Sequence, residues 1–128
     1  MDLKKFDSVT NADKGVDLIL EASSDKNEGA AITLYGFDSA RCKEKERDIQ
    51  RRNSERRGAL SPKEVEDQMY ERIVNATKGW RGIMQDGKVL EFSDKNAESV
   101  YRQYPEIKER VTAFIYSRAN FFTTASGN

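Results

Sequence analysis

Histidine is missing from the 128 residues, and cysteine, tryptophan and proline are scarce at one, one and two. Without an imidazole, the chain lacks the commonest general base near neutral pH and the commonest metal ligand. Cys42 alone can close no internal disulfide, and neither a Cys/His zinc site nor a CxxC redox pair can be built from it, which fits a reducing compartment. An excess of either charge is also missing, since 22 Lys and Arg balance 22 Asp and Glu. That balance gives no global pull toward nucleic acid or an anionic membrane. No apolar run approaches the roughly 20 residues that span a bilayer, and the opening Met-Asp-Leu-Lys-Lys-Phe-Asp leads into no apolar signal region. These absences point to a protein that is not secreted, has no membrane contact and binds rather than catalyses. No catalytic, cofactor-binding or metal-binding set is expected.

Charged residues make up 34% of the chain against 37% apolar. Such a composition supports one modest core, in a single domain over residues 1–128. Val16, Leu18 and Leu20 share one face of a short strand pattern, and Ile32 and Leu34 share one face of another. With the polar connection Ser23 to Gly29 between them, residues 16–35 read as a hairpin. Residues 38–57 switch to helical propensity, with Asp38 or Ser39 as N-cap and Gly58 as stop. Only Ala40, Cys42 and Ile49 interrupt its charged run, so the spacing predicts an exposed, arginine-rich helix held by pairs such as Asp48 to Arg52.

Residues 61–122 carry most of the large apolar side chains and read as a helical core. Ser61-Pro62-Lys63-Glu64 combines a capping box with proline at the first helical position. Val65, Met69, Ile73, Ala76 and Trp80 then follow at helical spacing, with Gly79 and Gly82 closing the segment. Asp86-Gly87 signals a turn in an irregular or hairpin-like piece. Ser93 can cap a helix with Ala97, Val100, Tyr101 and Tyr104 on its face. Pro105 opens a final helix predicted to carry Ile107, Val111, Phe114, Ile115, Arg118 and Phe122 near one side, and residues 123–128 read as a frayed tail. The fold class expected is α+β, a short N-terminal β-hairpin packed on a predominantly helical body.

Each candidate for chemistry has a plainer reading. With no histidine to activate it, Cys42 reads as an ordinary thiol. Glu64, Glu66 and Asp67 read as first-turn carboxylates favouring the helix dipole rather than metal ligands. Gly79-Trp80-Arg81-Gly82 lacks the lysine and serine of a phosphate loop. The pairs Arg51-Arg52 and Arg56-Arg57 could neutralise phosphates, but acids interleave them and no aromatic lies between Tyr35 and Tyr70 to stack on bases. With its thin apolar face, this helix instead points to contact with another copy of the chain or with a partner, through Arg47, Ile49, Arg51 and Arg52, and self-association is expected. Phe121 and Phe122 are adjacent, and neighbouring helical positions diverge by about 100°. One helix face cannot bury both. Phe114, Arg118, Phe121 and Phe122 are therefore the candidate partner-binding residues, against the ordinary alternative that these aromatics complete the core.

Taken in chain order, several segments form a recognisable series. They are Phe6-Asp7-Ser8-Val9, Gly15-Val16-Asp17-Leu18, Arg47-Asp48-Ile49-Gln50-Arg51-Arg52 and Thr77-Lys78-Gly79-Trp80-Arg81-Gly82-Ile83. Leu90-Glu91-Phe92-Ser93 with Asn96-Ala97 comes next, then Tyr104-Pro105, Val111, Phe114-Ile115 and Arg118-Ala119-Asn120-Phe121. The series resembles the tail assembly chaperones of long-tailed bacteriophages over nearly the whole chain. The resemblance implies a non-enzymatic, mostly helical protein of the host cytoplasm, absent from the mature virion. It implies binding to the tape measure protein, which the chaperone keeps soluble, and recruitment of tail tube subunits. Two other classes stay open: a nucleic-acid-binding regulator using the arginine-rich helix, and a structural head-tail joining protein.

Overall fold

The computed structural model describes residues 1–22 and 29–123. Most of the Ser23 to Gly29 connection and residues 124–128 of the expected tail lie outside them. A 3-10 turn over Leu3–Phe6 leads into the short helix α1 (Val9–Lys14). Strands β1 (Val16–Glu21) and β2 (Ala30–Leu34) then pair antiparallel, with Val16 opposite Leu34 and Leu18 opposite Ile32. This is the expected hairpin, but it is two thirds of a sheet.

The third strand corrects the reading of a helical stripe that runs from Val65 to Trp80. After α2 (Ala40–Glu55), helix α3 (Pro62–Asn75) begins at the expected capping box and stops at Ala76. The chain then extends as β3 (Thr77–Arg81) and pairs with β2, placing Trp80 opposite Ile32 and Thr77 opposite Leu34. Trp80 therefore sits on a sheet, and its helical spacing from Ile73 and Ala76 is coincidental. Beyond Arg81 the chain turns at Gly82, whose φ is +72° and where an added Cβ would lie 1.9 Å from the Gly29 carbonyl oxygen. Only glycine fits there.

A small hairpin of β4 (Met84–Gln85) and β5 (Lys88–Val89) turns at Asp86 and Gly87, with φ of +53° and +78°. Positive φ at both central residues is the geometry that matches strand twist across a two-residue turn. Helix α4 (Asp94–Gln103) is capped by the Ser93 hydroxyl, and α5 (Pro105–Ile115) opens on its proline. Together with α3 they cover one face of the three-stranded sheet. The resulting core contains Ile32, Leu34, Ile73, Ala76, Ala97, Val100, Tyr101, Val111 and Ile115. An internal polar relay runs from the Tyr101 hydroxyl to Thr77 Oγ1 at 2.7 Å, and from there to the Ile73 carbonyl at 2.8 Å. Burial pushes the Tyr101 phenol up to about 12, so it stays a donor.

Helix α2 is less exposed than its composition predicts. Ile49 is fully buried, and the charged side chains on one side of the helix lie against α3. Glu46 receives Arg72 at 2.7 Å, while Glu71 receives Arg52 at 2.6 Å and Lys45 at 3.3 Å. Arg56 pairs with Glu64, and Asn53 and Gln68 exchange amide bonds at 3.0 and 2.6 Å. The two helices are clasped by charge where apolar area is short.

The final helix also ends earlier than predicted. At Tyr116 the chain leaves α5, and the Asn120 side-chain amide caps the Phe114 carbonyl at 3.0 Å. Arg118, Phe121 and Phe122 consequently lie on and just beyond a 3-10 turn over Arg118–Phe121, off the face of α5.

Candidate functional site

Two places concentrate the side chains that could recognise a partner. The first is an apolar cleft of about 260 Å³ where the sheet meets the small hairpin and the junction of α4 with α5. Leu20 of β1, Ile32 of β2 and Trp80 of β3 supply one wall, and Ile83, Leu90 and Ile107 supply others. The indole N–H of Trp80 donates to the Leu90 carbonyl at 2.8 Å, and the Leu90 amide donates to the Ile83 carbonyl at 2.9 Å. Phe92 meets the indole edge-on at 5.2 Å. Trp80 is thus half-buried and pinned, with its ring forming the floor of an open site.

Gln85 fastens the small hairpin to the end of α4, donating to Gln103 at 3.2 Å and to the Tyr104 hydroxyl at 3.4 Å. At this cleft Met84 is 60% exposed and Tyr104 42%, and Val89, paired across the small hairpin with Met84, is 71% exposed. Tyr104, expected on the core face of α4, instead stands at the mouth. Among the described residues, none that line the cleft is charged. Such a site can take apolar side chains, and its side-chain polar groups include the Gln85 amide and the Tyr104 hydroxyl.

The second place holds the predicted partner-binding residues, and their positions correct the expectation. Phe121 is buried in a seat made by Ala12 and Gly36, with Phe114 edge-on at 5.6 Å. It is not an exposed anchor. Phe114 and Phe122 are half-buried, and Phe122 lies edge-on to Phe6 at 6.4 Å. Arg118 grips the Asp38 carboxylate with two bonds, at 2.7 and 3.1 Å, and its guanidinium lies 4.6 Å over the Phe37 ring. The Ser8 hydroxyl donates to the same carboxylate at 2.5 Å. Arg118 and Ser8 hold the Asp38 carboxyl below the usual carboxylate range, against the desolvation that opposes it.

The residues proposed for self-association through α2 are scattered by the fold. Ile49 faces inward. Arg52 is held by Glu71, and Arg51 by Asp48 and Glu55 of its own helix. Among the described residues Arg47 has no ion-pair partner. The helix therefore offers solvent far less free positive charge than its sequence suggests. Burial pushes the Cys42 thiol up, away from the thiolate that a nucleophile needs.

Among the described residues no cluster of acidic, cysteine or histidine side chains could hold a metal ion, and no helix is long and apolar enough to cross a membrane. Sequence reasoning missed the cleft because its walls come from six elements, β1 to β4, α4 and α5. One signal was available: Met84 and Val89 flank the Asp86-Gly87 turn of a hairpin too short to have a core of its own. Comparison with models of known families, with curated proteins and with solved structures finds no match to this chain.

Proposed function

We propose that the chain is a tail assembly chaperone of a long-tailed bacteriophage. It acts in the host cytoplasm without enzymatic chemistry, binds the tape measure protein and keeps it soluble. It helps recruit tail tube subunits and is left out of the finished virion. The cleft beside Trp80 is the partner-binding surface in this reading, in place of the Phe121 anchor.

The observation that carries the proposal is the open, uncharged cleft lined by Leu20, Trp80, Ile83, Leu90 and Ile107, with Met84 and Tyr104 exposed at its edge. Exposed apolar residues gathered around a concave site mark interaction surfaces, whereas single ones do not. An amphipathic helix can lay one or two apolar side chains into such a cleft, as helix-in-groove recognition requires. Each contact is small. Many copies along one long partner gain by avidity, and a weak individual site allows release when tube subunits arrive. The order of sequence segments shared with tail assembly chaperones supports the same reading.

Co-expression tests it directly. A very long helical reading frame is expected beside this gene, and its product should be insoluble alone, and soluble and co-purifying when this chain is present. A partner that stays insoluble, or is soluble without help, overturns the proposal.

A further inference from the structure

The core that holds the sheet to α3, α4 and α5 includes no residue from 1–14 and none from 118–123. Ala12 and Phe121 are nonetheless fully buried, against each other's neighbours. The two ends of the chain therefore share a satellite cluster of their own. We propose that residues 118–123 form a releasable latch that keeps the N-terminal segment 1–14 docked, and that its release opens the apolar seat between Ala12, Gly36 and Phe114.

The bonds across the two segments are specific. Thr123 Oγ1 donates to the Lys4 carbonyl at 2.8 Å, and the Asn11 amide donates to the Phe122 carbonyl at 3.3 Å. Phe122 packs on Phe6, and Phe121 fills the seat so closely that a Cβ on Gly36 would lie 3.0 Å from its ring and 2.7 Å from the Ala12 Cβ. Asp38 joins both ends to the body by accepting from Ser8 and Arg118 together.

The N-terminal segment has little else to hold it. Helix α1 has six residues, far short of the length at which a helix persists in water without tertiary support. Of residues 1–14 only Ser8 and Ala12 are buried. The remaining ties to the body are the Gly36 amide on the Ala12 carbonyl, Asp13 on the Ala40 amide and Lys78 on the Lys14 carbonyl. Gly15, at φ +96°, marks where the segment joins β1. A segment held mainly by one aromatic plug, by two buried bonds at Ser8 and Ala12 and otherwise by bonds at exposed atoms lies at the low end of local stability, while the main core keeps its own cluster. Opening the latch therefore uncovers Phe114, Phe121 and Phe122 without unfolding the sheet. It does so whether or not the cleft beside Trp80 binds a tape measure protein.

Hydrogen exchange on the full chain, read by peptide mass, tests this with two variants. Phe121→Ala should speed exchange over residues 9–14 and at the Gly36 amide by at least about tenfold, since a plug worth a hot-spot aromatic is lost. The amides of β1, β2, β3, α3, α4 and α5 should keep their protection. Arg118→Ala, at an exposed side chain, should give a smaller rise confined to the same residues. The proposal is overturned if Phe121→Ala leaves 9–14 protected, or if it raises exchange uniformly while folded. If Phe121→Ala does not fold, Arg118→Ala decides. A rise confined to 1–14 and Gly36 then supports the latch, and no rise or a uniform one removes it.

Discussion

Arg118 and Asp38, 80 positions apart, form a two-bond pair whose members differ in exposure: the carboxylate side chain is 11% exposed and the guanidinium 59%. Removing one partner is therefore not equivalent to removing the other. Arg118→Ala strands a largely buried carboxylate with only Ser8 beside it, whereas Asp38→Asn leaves a guanidinium that water can solvate. Asp38→Asn should cost about 1 kcal/mol, a typical net hydrogen bond, and Arg118→Ala more. Denaturant unfolding of the two variants gives the order directly. The reverse order would mean that Asp38 reaches solvent.

Gly36 and Gly79 form a matched pair for testing how tightly the satellite cluster is packed. An added Cβ at Gly36 meets the Ala12 Cβ and the Phe121 ring, while at Gly79 it meets nothing within 4 Å. Neither position has a left-handed φ, so the contrast is steric. Gly36→Ala should destabilise by about 1–3 kcal/mol, the cost of overpacking. Gly79→Ala, within β3, should be neutral or stabilise by up to about 1 kcal/mol. Equal melting temperatures for the two would show that the seat yields freely.

What the sequence could show followed from periodicity. The alternation Val16, Leu18, Leu20 and Ile32, Leu34 identified the hairpin, Ser61 to Glu64 the start of α3, and Asp86-Gly87 the small turn. Strand β3 was illegible because Thr-Lys-Gly-Trp-Arg lacks alternation and its Trp80 continues the helical stripe of Val65, Met69 and Ile73. Only pairing with Ile32 and Leu34 makes it a strand. The place of Phe121 was equally hidden, since the bend that buries it comes from the Asn120 side chain and its seat comes from residues 12 and 36. The clasp of Arg52 and Arg56 on Glu71 and Glu64 was hidden because those partners lie in another helix. The cleft draws on residues from 20 to 107, and no local window contains it.

Trp80 joins fold and site. Its indole N–H is committed to the Leu90 carbonyl, and its ring is half-buried against Phe92. Trp80→Phe keeps most of the packing and drops that bond, so a loss of about 1 kcal/mol is expected. Trp80→Ala should cost about 2–4 kcal/mol, below the full range for a completely buried aromatic. Thermal or denaturant unfolding checks both. If Trp80→Phe were as damaging as Trp80→Ala, the hydrogen bond rather than the ring would organise the small hairpin.

The clasp between α2 and α3 makes stability fall in acid over a definite window. The Arg56 guanidinium, with the Ser61 backbone N–H and hydroxyl, pulls Glu64 from 4.5 down to about 2. Arg72 likewise lowers Glu46. A folded value below the unfolded one means that the unfolded chain binds more protons, so stability from Glu64 is fully present above about pH 4.5 and is lost as pH falls toward 2. Glu64→Gln keeps an oxygen for the Ser61 amide while removing the charge. Its melting temperature should fall less steeply than the parent's across that interval, and parallel curves would show that Arg56 and Glu64 do not interact in solution.

The cleft is distinguished from the latch by variants that leave the fold alone. Met84 and Val89 are more than half exposed and lie on a hairpin outside the main core. Met84→Asp and Val89→Asp should therefore change unfolding stability by no more than about 0.5 kcal/mol. If the cleft receives an apolar helix of the tape measure protein, Met84→Asp places a carboxylate on its lining and Val89→Asp places one beside it on the paired strand. Loss of a buried interface anchor costs about 2 kcal/mol or more, roughly thirtyfold in affinity. In co-expression the partner should then shift from the soluble to the insoluble fraction, while the variant itself remains folded and soluble. Phe121→Ser supplies the contrast, because it loosens the latch and leaves the cleft intact. Should Met84→Asp and Val89→Asp both keep the partner soluble while a folded Phe121→Ser does not, the partner contacts Phe121 of the opened latch, not the cleft.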